Sequence, residues 1–266
     1  MPELPEVETI ARSLRPELTG RVVQSAHLLW RRTLAIPSPE RFVHQINGCE
    51  ITGVGRRAKY LYIQLTDLHL FIHLRMSGDL YLRPLPHLPE KHDRLLLELS
   101  DGRVLVFNDP RKFGRAWLTA QPEEVIGRLG PEPFDPAFTP QQLHTRLLQH
   151  RRQLKPLLLD QSFLAGLGNI YTDEALHLSG LHPQRISDTI NLQQAERLYH
   201  AIQTVLLTGI EHNGASIDWV YRGGAFQNYF RVYDRQGKPC PVCGAPIERM
   251  LVGQRSTHIC PQCQVK

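Results

Sequence analysis

The arrangement that most limits what this chain can fold into lies in its last 27 residues. Cys240-Pro241-Val242-Cys243 is followed, after sixteen residues, by Cys260-Pro261-Gln262-Cys263. Each CxxC knuckle offers two thiolates to one tetrahedral ion, and a spacer of that length suits a short β-hairpin that folds back on itself. A C-terminal module this small has too little apolar core to fold alone, so a metal would supply the folding free energy. Two redox-active CxxC pairs would need a βαβ context that is absent here. The spacing therefore predicts one structural Zn2+ held by Cys240, Cys243, Cys260 and Cys263, with its shell full and no open position for catalysis. His258 stands close to Cys260, but the paired cysteines already close the shell. The turn of the hairpin would carry Gly253-Gln254-Arg255-Ser256-Thr257 and hold Arg255 at its tip, a good way to reach a phosphate or a minor groove. Cys49 has no partner and reads as a small core residue. Four of five cysteines in one terminal segment do not make a secreted disulfide framework.

The remaining residues form one large or two medium domains, since 266 residues can bury real cores. No stretch resembles a membrane span, and the acidic, proline-containing N-terminus is not a signal peptide, so a cytosolic protein is expected. The net charge of +5 and a pI near 9.0 lean toward a polyanionic partner. Distribution says more than the total. Residues 231–266 hold six Lys/Arg against two acids. Further basic knots are Arg56-Arg57-Ala58-Lys59, Arg111-Lys112-Phe113-Gly114-Arg115 and Arg151-Arg152-Gln153-Leu154-Lys155. Each lies by a glycine, a proline or an aromatic ring, which fits a phosphate-tracking surface better than a merely solvated face.

Val7, Ile10, Ala11, Leu14 and Leu18 recur at helical spacing and predict an amphipathic helix from about Glu6, ending at Gly20. From about residue 21 to 119 the period is two. Residues 60–65, 68–75, 79–83, 93–99 and 103–107 read as short strands, with a hairpin turn at Ser100-Asp101-Gly102. Many short strands argue for a sandwich or a barrel, with the first helix against its rim. Prolines 122, 131, 133, 136 and 140 mark a boundary, beyond which the pattern is helical. Thr139-Pro140 opens one helix. Asn191-Leu192-Gln193-Gln194 resembles a capping box and opens a long one, which stops at Asn213-Gly214. Gly166-Leu167-Gly168 half-matches a dinucleotide fingerprint. However, Tyr171 takes the third glycine position and no strand precedes it, so that reading fails. What remains is a tight turn feeding a helix at Thr172-Asp173-Glu174. It is either a phosphate seat at a helix N-terminus or a structural turn.

The other end of the chain is Met1-Pro2-Glu3-Leu4-Pro5-Glu6-Val7-Glu8. Prolines and acids in a first turn are ordinary helix chemistry. If Met1 is removed, Pro2 also presents a free secondary amine beside Glu3 and Glu6. Such an amine has a reference pKa of about 8 and is readily a nucleophile toward carbonyl-like carbon.

In combination, these features resemble the Fpg/Nei family of DNA glycosylases, in its formamidopyrimidine-DNA glycosylase branch. The resemblance runs over essentially the whole chain. Its motifs are PELPEVET at 2–9, RRAKY at 56–60, HLRMSG at 73–78, KHD at 91–93 and NDPRKFGR at 108–115. It continues with LGPEP at 129–133, LKPLLLDQ at 154–161, GLGNIYTDEAL at 166–176 and GQRSTHICPQCQ at 253–264. It implies an α+β multidomain fold. A catalytic N-terminal β-sandwich with flanking helices would span residues 1–131, a helix–two-turn–helix domain 132–228 and the zinc-finger hairpin 229–266, with DNA in the cleft between domains.

The resemblance also implies roles. Pro2 would attack C1′ of a damaged nucleotide, Glu3 would protonate the sugar ring oxygen, and Glu6 would support them. Lys59 would donate a proton in β-elimination, and Arg255 would serve phosphate binding and δ-elimination. A base acted on in this way must leave the stack. Met76, Arg111 and Phe113 would fill the gap, with Arg111 toward the orphaned cytosine. His73, His92, Arg151, Lys155 and Asn169 would contact DNA. The expected partner is damaged double-stranded DNA, with no membrane, and the protein would be a monomer. The expected reaction is base excision of oxidised purines with AP-lyase strand cleavage. A sister enzyme for oxidised pyrimidines and a non-catalytic zinc DNA binder are the competing readings. The segment 216–226, where the family's base-capping loop lies, departs from the family pattern in length and aromatic content.

Overall fold

A computed structural model of the chain describes residues 2–216 and 223–266. These fall into two compact units, one of residues 1–128 with 216–224, the other of residues 129–215 with 225–266.

The first unit opens with α1 (Leu4–Leu18), which starts two residues earlier than the apolar spacing suggests. The reason is its cap. Glu3 is the N-cap, and Glu6 Oε2 accepts the Glu3 amide at 2.7 Å, one half of a capping box, with Pro5 in the first turn. Strands β1 (Val23–Leu28) and β2 (Leu34–Ile36) follow, then α2 (Pro39–Ile46). This second helix interrupts the region read as all strand. Its signals were in the sequence, since Ser38 caps it by accepting the Arg41 amide and Pro39 takes the first helical position. Next come β3 (Ile51–Arg57), β4 (Tyr60–Leu65), β5 (His69–His73), β6 (Asp79–Pro84), β7 (Asp93–Leu99), β8 (Arg103–Asn108), β9 (Arg115–Thr119) and the short α3 (Glu123–Ile126).

The strands form two sheets, in the orders β1-β7-β8-β6 and β2-β9-β5-β4-β3. Every pairing is antiparallel except β2 with β9. One core joins them. Leu95, Leu97, Leu105 and Phe107 from the first sheet share a cluster with Leu61, Ile63, Leu70 and Ile72 from the second, and with Val7, Ile10 and Leu14 of α1. Two separate sheets over a common core make a sandwich, not a barrel. Cys49 is half-buried against this cluster, its thiol donating to the Gln45 carbonyl at 3.1 Å.

Helix α1 lies along β3. Arg15 Nε donates to the Val54 carbonyl at 2.7 Å, and Arg56 Nε meets Glu8 at 2.9 Å. Burial of Glu8 works against its charge, but the hydrogen bonds from Arg56 and Arg12 outweigh it and hold the carboxyl below its ordinary value. One arginine of a basic knot is thereby committed to holding the helix. The two contacts also fix direction, because they place the residues ahead of α1 toward the β3–β4 turn.

The second unit contains α4 (Pro140–Leu148), α5 (Leu154–Leu158), α6 (Asn169–Ser179), α7 (Leu192–Glu211) and the hairpin β10 (Glu248–Val252) with β11 (Arg255–Ile259). Thr139 caps α4 through the Gln142 amide at 3.2 Å. Asn191 and Gln194 cap α7 reciprocally, at 2.9 and 3.0 Å. Helix α6 begins at Asn169 with Gly168 as its N-cap, three residues ahead of Thr172. Among the described residues no helix is long and apolar enough to cross a membrane.

Gly209 of α7 lets Tyr171 of α6 come close. A Cβ there would sit 2.5 Å from Tyr171 Cε1, and the tyrosine ring is fully buried and stacked on Phe226 at 4.9 Å. Gly209→Ala is therefore expected to destabilise the protein by about 1–3 kcal/mol, as overpacking does, despite the better helix propensity of alanine. A urea midpoint unchanged from that of the parent protein would refute the tight approach.

Candidate active site and zinc finger

Strand register gathers one set of expected site residues at one end of the sandwich. In the five-stranded sheet Tyr60 pairs with His73, and His73 pairs with Arg115. The turn holding Lys59, the segment holding Met76 and the segment holding Arg111 and Phe113 therefore leave the sheet side by side. In the four-stranded sheet Asn108 pairs with both Asp79 and Asp93, which brings the start of β6, the end of β8 and His92 together. Residues 74–78 and 109–114 each carry the chain from one sheet to the other.

Lys59 follows Ala58, whose φ of +53° is unusual for a residue with a side chain, and Lys59 itself is 5% exposed. Pro2, Glu3 and Glu6 are buried as well. His73 is held in one protonation state. Burial, then the Arg75 and Lys59 cations, pull it down to about 3. Its Nδ1 accepts the Arg75 amide at 3.0 Å, so the ring proton sits on Nε2.

The 109–114 loop is organised by a residue that sequence reading passed over. Asp109 is 1% exposed. Its carboxylate accepts from the Ser77 hydroxyl, from the Gly114 amide at 2.7 Å and from the Arg111 amide at 3.2 Å. Its own amide donates to the His92 carbonyl at 2.9 Å, and its carbonyl accepts from the buried Arg94 at 2.8 Å. Asp109 and Ser77 lie inside the NDPRKFGR and HLRMSG stretches, but nothing in their spacing says that they meet. Gly114 has no room for a side chain, because a Cβ would fall 2.4 Å from Phe107 Cζ. Around this anchor the tips stay outside. Met76 is 43% and Phe113 50% exposed, and the Arg111 guanidinium lies 5.1 Å from the Phe113 ring centre.

In the second unit the four cysteine sulfurs all lie within 4.8 Å of one another. The Cys243–Cys260 and Cys240–Cys263 separations are 3.3 and 3.9 Å. Tetrahedral zinc with bonds of about 2.3 Å sets sulfurs about 3.8 Å apart, so the donor set fits one Zn2+. Holding the two knuckles together is all that this ion would do. His258 is turned away from the cluster, its amide donating to Asp173 Oδ2 at 3.0 Å and its Nδ1 lying 3.5 Å from the same oxygen.

Arg255 is exposed and opens β11 directly after a two-residue turn, rather than standing in the turn itself. Gly253 and Gln254 form that turn with φ of +55° and +62°, a hairpin geometry in which both residues are left-handed. The next carbonyl, that of Ser256, receives Lys155 Nζ at 2.8 Å and Asn169 Nδ2 at 3.0 Å. Lys155 is fully buried and also meets Asp173 Oδ1 at 2.6 Å. Its ammonium is thus directed into the protein, onto the strand that presents Arg255. Arg151 is the reverse case, with its side chain 87% exposed and only a 4.0 Å approach to Asp188. Sequence reading did not single out Asp173, which ties α5, α6 and β11 together.

A β-sandwich that collects buried acids and bases at one end, joined in sequence to a helical unit with a four-cysteine finger, defines a modular zinc-finger protein. The family comparisons are specific. The formamidopyrimidine-DNA glycosylase N-terminal domain matches residues 1–116, the formamidopyrimidine-DNA glycosylase H2TH domain residues 129–220, and the zinc finger found in FPG and IleRS residues 237–265. The formamidopyrimidine-DNA glycosylase of Chloroflexus aggregans is 47% identical over 277 aligned positions, covering 100% of this chain and 99% of that protein. The protein of the same name from Herpetosiphon aurantiacus is 45% identical, covering 99% and 100%. Among solved structures, Lactococcus lactis Fpg in complex with abasic-site DNA superposes with a TM-score of 0.93 at 34% identity, covering both chains completely. The chain belongs to the formamidopyrimidine-DNA glycosylase family.

Proposed function

We propose that this chain is a bifunctional DNA glycosylase and AP lyase of base excision repair. It would act as a monomer on damaged double-stranded DNA in a bacterial-type cytosol and remove oxidised purines. The observation that carries the reading is the buried, acid-capped start of α1. Pro2 is covalently joined to a peptide group whose N–H is held by Glu6, in a chain of a glycosylase family. Solved relatives bound to Fapy-dG DNA and to abasic-site DNA support the substrate class.

In the proposed reaction the Pro2 nitrogen lone pair forms a bond to C1′ as the bond from C1′ to the base breaks. The base leaves with that bond's electron pair and takes up the proton that the Pro2 nitrogen gives up. Glu3 delivers a proton to the ring oxygen, the sugar opens, and C1′ becomes an iminium carbon. That cation acidifies the C2′ proton. Water takes that proton, the C–H electron pair forms a C2′=C3′ bond, and the 3′ phosphate leaves with the C3′–O electrons (β-elimination). A second elimination expels the 5′ phosphate in the same way. Lys59 acts as proton donor in the first elimination and Arg255 holds a departing phosphate in the second. Glu6 supports both acids and amine by fixing the Glu3 amide.

Met76 and Phe113 enter the stack as apolar wedges, with Arg111 toward the unpaired cytosine. His73, with its proton on Nε2, and the exposed Arg151 serve phosphates, and His92 and Asn169 complete the contacts. Lys155 acts at one remove, through the Ser256 carbonyl. The base-capping segment of 216–226 lies largely outside the described residues, which exclude 217–222.

Borohydride reduction in the presence of an 8-oxoguanine·cytosine duplex tests the reading. A covalent protein–DNA adduct and a nicked strand are expected. Binding of the duplex without an adduct would leave a zinc DNA binder in place of an enzyme. Faster trapping with thymine glycol DNA would move the substrate to oxidised pyrimidines.

A further inference from the structure

The zinc finger is joined to α6 by a contact that the reaction above does not use. His177, 3% exposed on α6, places Nε2 3.4 Å from Cys240 Sγ. On the other side of the ring, Arg231 Nε donates to His177 Nδ1 at 3.4 Å. A guanidinium has only donors, so Nδ1 must present its lone pair. The single proton of a neutral imidazole is then on Nε2, aimed at the sulfur. The protonated ring is excluded by the same geometry, since two N–H groups would face each other at Arg231.

We infer that His177 is a positioning residue of the metal centre, donating an Nε2–H···S hydrogen bond to the Cys240 thiolate in a tautomer imposed by Arg231. The chemistry needs such a donor. Four thiolates around one divalent ion leave a net charge of −2, and Cys240 and Cys260 are 4% and 0% exposed, beyond the reach of water. The backbone supplies part of the compensation. The Val242 amide reaches Cys240 Sγ and the Cys263 amide reaches Cys260 Sγ, each at 3.4 Å. The imidazole adds a side-chain donor, polarised from behind by a cation.

Arg231 is itself fixed from the same helix. The amides of Arg231, Val232 and Tyr233 donate to Glu174 at 2.8, 3.0 and 2.8 Å. Glu174 and His177 are three positions apart on α6 and so face the same way. The helix therefore grips the finger twice, once by its backbone and once by its metal ligand. Its N-terminal half carries Asn169 and Asp173, which hold the strand of Arg255. Metal occupancy and the placement of that strand are coupled through one helix.

The test uses the full-length, zinc-loaded protein and reads zinc release to excess chelator with a metallochromic dye. His177→Phe, which keeps the bulk and loses the donor, is expected to release zinc about 10–100-fold faster, the usual cost of losing such an outer-shell partner. His177→Gln retains an N–H and is expected to recover most of the difference. A second readout needs no mutation. In protein reconstituted with cadmium-113 and labelled with nitrogen-15 histidine, the His177 ring should show an Nε2–H tautomer, with its proton coupled to the metal through sulfur. Release from His177→Phe at the parental rate would overturn the inference, and so would an Nδ1–H tautomer. If His177→Phe fails to fold, the tautomer in the unaltered protein decides.

Discussion

Protein that keeps Met1 is expected to bind an 8-oxoguanine duplex and yet to form no borohydride-stable adduct and no strand break. With Met1 attached, the Pro2 nitrogen is part of an amide. Its lone pair is delocalised into the carbonyl and cannot attack C1′. The expected loss is on the order of 10⁴-fold or more, in line with what removing a nucleophile costs other enzymes. The comparison requires material of known N-terminal sequence, because a small processed fraction would imitate residual activity. Duplex affinity serves as the internal control. An adduct of undiminished yield on protein with Met1 in place would assign the nucleophile to another amine, Lys59 being the obvious candidate at the same end of the sandwich.

Replacing Lys155 is expected to unfold the second unit more readily rather than to weaken DNA contact directly. Its ammonium is fully buried between Asp173 and the Ser256 carbonyl. Removing one member of a buried ion pair leaves the other charge without compensation, at a cost of about 3–5 kcal/mol. Lys155→Met should therefore lower the denaturant midpoint strongly, and Lys155→Met combined with Asp173→Leu should recover a large part of the loss. Salt titration separates this from a direct phosphate contact. A lysine that touches phosphate reduces the slope of log K against log salt by about one when it is removed. The slope is expected to be unchanged here. A normal midpoint with a reduced slope would return Lys155 to the DNA surface.

The two lysines show how far the sequence could be read. Lys59 and Lys155 both sit in basic knots next to motifs, and composition treats them alike. In the structure both are buried, but Lys155 is there to neutralise Asp173, eighteen positions away. Arg56 is likewise committed to Glu8 across 48 positions. Which cations remain outside depends on tertiary pairing, which no local pattern carries. The zinc hairpin was legible because its constraint is covalent in origin, with four thiols, two fixed spacings and one coordination geometry. The first helix was legible by its apolar stripe, while its true start depended on the Glu3–Glu6 cap. The sandwich emerged from period-two alternation. The choice against a barrel needed the sheet edges, and α2 was hidden by the surrounding strands even though Ser38-Pro39 announced it. Asp109 was the clearest omission, because its importance lies in how many donors converge on it and not in its neighbours in sequence.

On the proposed reading, that convergence governs how a duplex is entered. Ser77 and Asp109 are bonded to each other, and the Arg111 amide touches both. The segments bearing Met76 and Phe113 therefore share one root, and the exposed tips behave as the tines of a single fork. The entropy of ordering two crossing loops is lost once, during folding, and not again at each encounter with DNA. On the proposed wedging of the stack, a fork already set would probe successive base steps quickly, stopping only where the stack yields.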